Sequence, residues 1–264
     1  MIPKDFHGVD TRIWLTLTFG AAISAVLVLP YAIEFAGQSF PALPRFLEIS
    51  LLSFVENGLI FALVAYLGLR MAKKIGMEPT PVLSGKAKLQ DSLKISIVSG
   101  IAIGLVIVAL DLLLNSLFVF PLNAGLSATA GNPGAVEGLL ASFYGGIAEE
   151  VLLRLFVVPL FCLAIIGILK LLGRAGTWQH TDNVVWVSVI LAAIVFGLGH
   201  LPATAAIMAI TPAVVLRAVL LNGVGGLVFG WLFYRKGLES AMVSHFSGDL
   251  VLHVLLPLLN LSLL

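Results

Sequence analysis

Glu149 and Glu150 stand side by side in a predominantly apolar stretch, Val136 to Leu172, and Arg154 follows the second glutamate by four residues. Two further pairs repeat the four-residue step inside apolar runs downstream, Phe196 with His200 and His245 with Asp249. Ionisable side chains at membrane depth are costly, so those that persist there mark a functional site by default. Carboxylates and imidazoles are the groups that take a proton from a nucleophile and return it to a leaving group. The chemistry suggested is water activation at a polar site buried in a membrane protein.

On a helix, residues four apart lie nearly above one another, while adjacent residues point about 100° apart. Glu150 is therefore expected to face Arg154 and be neutralised by it. Glu149 is left on another face without a sequence-local partner, which suits a general base. His200 closes an apolar helix at Phe196-Gly197-Leu198-Gly199-His200-Leu201-Pro202, where small residues permit close helix approach and the proline ends or kinks the helix. His245 and Asp249 share one face of the last segment. Two imidazoles and two carboxylates from three helices, Glu149, His200, His245 and Asp249, could hold a catalytic water directly or through a divalent metal such as zinc.

Each element also has a duller reading. A lone intramembrane histidine more often hydrogen-bonds between helices than catalyses, and Glu150 with Arg154 reads as a structural pair. His253 continues the His245/Asp249 stripe and is assigned to packing or support. Glu56, Asp111, Asn115 and Asn222 are expected between helices or lining a cavity, with Asn222, beside Gly223, Gly225 and Gly226, within reach of the site. The joint occurrence carries the functional reading. Other intramembrane chemistries fit less well: there is no H-E-x-x-H metalloprotease signature. Ser99-Gly100 and Ser247-Gly248 lack the glycine two residues before serine that a rhomboid pattern wants, and Gly248-Asp249 has no second aspartate in a matching context.

The elements that must position these residues are membrane spans. Of 264 residues, 59% are hydrophobic and 11% charged, with a mean hydropathy of +1.08, against about 25% charged in ordinary soluble domains. A net charge of +1 without a long basic run gives no hint of nucleic-acid binding. Cys162 is the only cysteine, so no internal disulfide forms. Against the roughly 20 residues needed to cross a bilayer, spans are expected at Ile13 to Ile33, Ile49 to Leu69, Ile95 to Phe120, Val136 to Leu172, Val184 to His200, Ala213 to Tyr234 and Leu238 to Leu264. The first is too long for a signal-peptide core and is read as retained.

Solvated loops are expected at Met71 to Ser92, Leu122 to Ala135 and Gly173 to Asn183, with Asp182 or Asn183 capping the next helix. Lys4, Arg12, Arg70, Lys73, Lys74, Lys86, Lys88, Lys94, Lys170, Arg174, Arg235 and Lys236 fall on the N-terminal side, and only Arg45 and Arg217 fall opposite. That asymmetry favours a cytoplasmic N-terminus. A run as long as Val136 to Leu172 would make roughly 55 Å of helix, and Pro159 could divide it, so seven or eight helices are expected in one all-α integral membrane domain.

Glu149-Glu150-x-x-x-Arg154, Phe196-x-x-x-His200 and His245-x-x-x-Asp249, in that order on successive segments, resemble the CPBP family of intramembrane proteases, which includes the CAAX prenyl endopeptidases and the Abi-type bacterial proteins. The resemblance covers about Val136 to Leu256 and makes 136–256 the expected catalytic core. It implies an endopeptidase in which Glu149 and His200 activate water, while His245 and Asp249 complete the site or stabilise the oxyanion. Beside it, Glu150, Arg154, Phe196, Asn222 and His253 are expected in support. CAAX endopeptidases more often carry asparagine where Asp249 stands, which puts a donor role for Asp249 in doubt and makes metal ligation or orientation of His245 the alternatives. A metal-free mechanism is preferred, with Asp249 protonated or hydrogen-bonded to His245. The expected partners are a peptide or membrane-protein substrate and the lipid bilayer. The rival readings are a non-catalytic regulatory or immunity protein that binds a partner, and a proton-coupled transporter.

Overall fold

A backbone in hydrocarbon must satisfy its own N–H and C=O groups, which leaves the helix as the element an apolar segment of this kind can form. The computed structural model describes residues 5–6, 8–120, 123 and 132–261. Lys4 and most of the loop expected at Leu122 to Ala135 lie outside the described residues. Among the described residues seven helices are long and apolar enough to cross a bilayer: α1 (Thr11–Phe35), α2 (Leu43–Lys74), α3 (Gln90–Leu117), α4 (Ala135–Leu171), α5 (Asp182–Ile207), α6 (Pro212–Lys236) and α7 (Leu238–Leu258). The protein is an all-α, multi-pass membrane protein whose only strands among the described residues, Asp5–Phe6 and Val9–Asp10, pair as a minimal antiparallel ribbon before α1.

The spans expected from hydropathy correspond one for one to these helices. Two local expectations are corrected. Thr181, not Asp182 or Asn183, caps α5, its hydroxyl accepting from the Val184 N–H. Asp182 already lies in the helix, where it accepts from the Tyr234 hydroxyl and pairs with Arg235. The long fourth run is not divided at Pro159. Val157 and Val158 keep right-handed helical angles, and the helix continues from Ala135 to Leu171. A π-helical stretch, Val151–Val157, immediately precedes the proline. Its wider i→i+5 ladder changes the carbonyl register just where proline has no N–H to offer.

α4 sits innermost, in contact with α1, α2, α5, α6 and α7, while α3 packs along α7 and α5 along α6. Glycines set two of these crossings. A Cβ at Gly100 of α3 would overlap the Ser244 carbonyl of α7, and one at Gly197 of α5 would overlap the backbone of Val219 in α6. Close backbone approach of this kind replaces the hydrophobic drive that helix pairs lack in lipid. The outer surface is apolar, with Leu51, Leu52, Leu59 and Leu63 of α2 and Leu105 and Leu112 of α3 exposed, as a lipid-facing surface requires. Glu56, expected between helices, is instead exposed on α2.

Seven crossings place the starts of α1, α3, α5 and α7 on one face with the ends of α2, α4 and α6. The loop after α2 folds across this N-terminal face and grips the start of α7. The Leu238 N–H donates to the Pro79 carbonyl at 2.7 Å, the Leu83 N–H donates to Glu239 Oε1 at 2.9 Å, and Ser92 and Ser240 hydroxyls meet at 2.6 Å. Gly237, at φ 95°, makes the turn from α6 into α7 where an L side chain is disfavoured, and a Cβ there would overlap Pro81.

Candidate active site

Glu149 and Glu150 occupy adjacent places in α4, at the junction of two π-helical stretches, Tyr144–Glu149 and Val151–Val157. Their fates differ as helix geometry requires. Glu150 is fully buried and meets the Arg154 guanidinium at 3.0 Å, itself 2% exposed. Arg154 is boxed in further: its Nη2 donates to the Gly226 carbonyl at 3.4 Å, and its guanidinium lies 4.9 Å from the Phe196 ring and 5.4 Å from the Phe229 ring. A charge pair this deep must be held on every side to offset its desolvation. Phe196 is thereby the apolar lid on the arginine.

Glu150 has a second partner that helix periodicity within α4 could not show. The Nδ1–H of His245 in α7 donates to Glu150 Oε1 at 2.7 Å. Because the paired carboxylate accepts, Nδ1 carries the hydrogen and Nε2 is turned the other way. Nε2 lies 3.7 Å from Glu149 Oε2 and 3.6 Å from Asp249 Oδ1, close enough for charge interaction and too long for direct hydrogen bonds. The expected hydrogen bond between Asp249 and His245 is thus absent in this arrangement. The imidazole plane is fixed by Phe229, stacked at 4.4 Å and 18°, and by Phe196 edge-on at 5.6 Å.

Glu149, His200, His245 and Asp249 all line one cavity of about 860 Å³. His200 ends the regular part of α5, and its Nδ1–H donates to the Phe196 carbonyl at 2.9 Å. A carbonyl only accepts, so the tautomer is settled and Nε2 keeps its lone pair. Asn222 and His253 line the same cavity. The Asn222 amide donates to the Ala218 carbonyl, and His253 meets the Tyr31 hydroxyl at 3.2 Å. His253 was expected to continue the His245/Asp249 stripe, but a π-helical stretch, Leu250–Leu255, intervenes and its partner is in α1. Asp111 and Asn115 join α3 to α6: the Arg217 Nε–H donates to Asp111 Oδ1 at 2.7 Å, and Asn115 donates to Asp111 Oδ2 at 3.1 Å.

Several contributors carry no sequence signal. Phe229 is an ordinary residue of an apolar helix, Tyr31 lies far from any motif, and Tyr144, five residues before Glu149, belongs to none; both tyrosines are on the cavity wall. Gly145 is legible only in space: a Cβ there would overlap the Asp249 carboxylate and sit 3.1 Å from His245 Nε2. Among the described residues no group of three or more His, Cys, Asp or Glu side chains is arranged so that it could hold a metal ion, and Glu150 and the His245 Nδ1–H are committed to each other.

In comparison with known proteins, residues 131–251 fit the family model described as type II CAAX prenyl endopeptidase Rce1-like. That segment carries all three motifs. No curated protein and no solved structure matches the chain.

Proposed function

We propose, from the premise that residues 131–251 belong to the Rce1-like CAAX endopeptidase family, that this chain is an intramembrane endopeptidase in which Glu149 activates water. The observation that carries the reading is the position of Glu149: it opens on the cavity beside His245 Nε2, while its neighbour Glu150 is consumed by Arg154 and His245.

In this mechanism Glu149 takes a proton from water as the oxygen attacks the scissile carbonyl carbon, and the carbonyl electron pair moves onto its oxygen. The resulting tetrahedral oxyanion is met by His245, which donates from Nε2 when it carries a second proton. His200 Nε2, with its lone pair available, holds the water's other hydrogen and so aims the oxygen. Collapse breaks the C–N bond, Glu149 returns its proton to the leaving amine, and an amine and a carboxylic acid, which ionises in water, are released. Glu150 and Arg154 act through His245, fixing its tautomer and plane. Asp249 shapes the field at Nε2. The core of this chemistry spans 136–256 within a single membrane domain, and the mechanism is proposed as metal-free.

The test is purified protein in detergent incubated with a membrane-peptide library, with and without chelator. Cleavage by the wild type and by chelated protein, and none by Glu149→Gln, is the expected result. Absence of cleavage from every peptide, with partner capture instead, would favour the regulatory reading.

A further inference from the structure

A second cleft, of about 440 Å³, lies on the N-terminal face of the bundle. That volume falls within the roughly 300–1,000 Å³ of sites that hold small molecules. Lys88 of the loop after α2, Asp91 in the first turn of α3, His180 before α5, and Arg235 and Lys236 at the end of α6 give it a polar wall, completed by buried Phe233. The His180 backbone N–H and its Nδ1–H both donate to the Ile75 carbonyl, at 3.1 and 2.7 Å, so this wall is fixed to the end of α2. Among the described residues none lines both this cleft and the cavity around Glu149.

The charges around the cleft are unequally matched. Of its two carboxylates, Glu78 pairs with Lys86, and Asp91 accepts from the Lys88 backbone N–H at 3.3 Å. Arg235 reaches Asp182 only at 3.5 Å. Among the described residues the Lys88 and Lys236 ammonium groups form no ion pair with a carboxylate. Cations that border one cleft repel each other, and an anion between them turns that repulsion into attraction. The spans α3, α5, α6 and α7 all begin or end here, at the depth of the lipid headgroups, and basic pockets between helix ends suit anionic headgroups. We infer that this cleft binds a phosphate group, presented by an anionic phospholipid, through Lys88, Arg235 and Lys236.

Occupancy has a structural consequence. Pro81, Val82 and Gly237 also line the cleft, and they adjoin the hydrogen bonds from Leu238 to Pro79 and from Leu83 to Glu239 that hold the root of α7. A phosphate shared by Lys88 of the loop and Lys236 of α6 draws together the two segments whose contact makes that grip. The lipid therefore fastens the helix that carries His245. This site stands whether or not the protein is a protease, because its occupant meets no residue of the catalytic cavity.

The test titrates the full chain in dodecyl maltoside with phosphatidylglycerol, with zwitterionic phosphatidylcholine and with soluble glycerol phosphate, and follows thermal unfolding and backbone hydrogen exchange. Phosphatidylglycerol is expected to raise the Tm saturably by several degrees and to slow exchange around Leu83 and Leu238. Phosphatidylcholine should do neither, and glycerol phosphate, without acyl chains to hold it at this depth, should act weakly. Lys88 and Lys236 are exposed, so Lys88→Gln with Lys236→Gln should melt near the wild type without lipid and lose the response to it. Lys73→Gln with Lys74→Gln, on the same face but outside the cleft, should keep that response. No shift with phosphatidylglycerol, a full response in the Lys88/Lys236 variant, or an equal loss in the Lys73/Lys74 variant overturns the site. A shift from glycerol phosphate without one from lipid overturns the lipid as its source, and a Tm shift with unchanged exchange around Leu83 and Leu238 overturns the fastening of α7.

Discussion

The His245 Nδ1–H donates to Glu150 Oε1 at 2.7 Å across the α4–α7 crossing, at the same carboxylate oxygen that meets Arg154 at 3.0 Å. One buried oxygen therefore serves two helices, and the orientation of His245 toward Glu149 depends on a glutamate that never touches the cavity.

Glu149→Gln is expected to lower turnover roughly 10²–10⁴-fold, the range associated with losing a general base. The side chain keeps its volume and borders open space, so the folded protein should melt within a degree or two of wild type. Peptide cleavage and detergent thermal unfolding, measured together, check this. A well-folded variant with wild-type turnover removes Glu149 as the base.

Arg154→Ala strands the Glu150 carboxylate in the core, a change that costs about 3–5 kcal/mol for a buried pair. A sharp fall in the yield of folded protein is expected. The double change Glu150→Gln with Arg154→Met removes both charges and should recover yield. Activity should stay low, because a neutral amide holds the His245 Nδ1–H less firmly. Recovery of both yield and activity would show that the pair is structural alone.

Gly145→Ala offers a test whose signs diverge. In a helix interior alanine is favoured over glycine by about 1 kcal/mol, yet the new Cβ falls on the Asp249 carboxylate and against His245 Nε2. Turnover should drop with little loss of stability, and combining it with Asp249→Gly, which clears the space, should give a non-additive result in a double-mutant cycle. Strict additivity would mean that the two residues do not share that space in the working enzyme.

Asp249→Asn separates metal chemistry from oxyanion chemistry. In a metal-free site the amide N–H can donate to an oxyanion that a carboxylate repels, so activity should hold or rise and chelators should leave the wild type unaffected. Stoichiometric zinc bound to purified wild type and lost in Asp249→Asn would overturn this.

Much of this architecture was legible in one sequence because lipid imposes a simple rule. Helices must be apolar over their length, so Leu43–Lys74 and Gln90–Leu117 announce themselves, and a buried ion pair such as Glu150 with Arg154 follows from four-residue spacing. What escaped notice depends on contacts between helices. Periodicity within α4 cannot reveal that His245 arrives at Glu150, nor that Phe229 stacks on the imidazole. The π-helical stretches, which shift His253 toward Tyr31, break the regular 3.6-residue count on which stripe arguments depend. At the start of α5, threonine, aspartate and asparagine are consecutive and all are competent caps, so their order alone did not single out Thr181. The Lys-rich loop reads as solvated from composition, and its grip on α7 rests largely on backbone groups of Pro79 and Leu83, which no side-chain pattern records.

That grip is one of two attachments on α7. Its root, Leu238 to Ser240, is tied by three hydrogen bonds to the segment Pro79–Ser92, and His245 stands only seven residues beyond Leu238, about 10 Å along the helix. Eight residues further on, the His253 carbonyl runs so close to Gly138 of α4 that a Cβ there would overlap it, and the His253 ring meets the Tyr31 hydroxyl of α1. His245 is thus slung between two moorings, and its height opposite Glu149 is set from both ends of the helix.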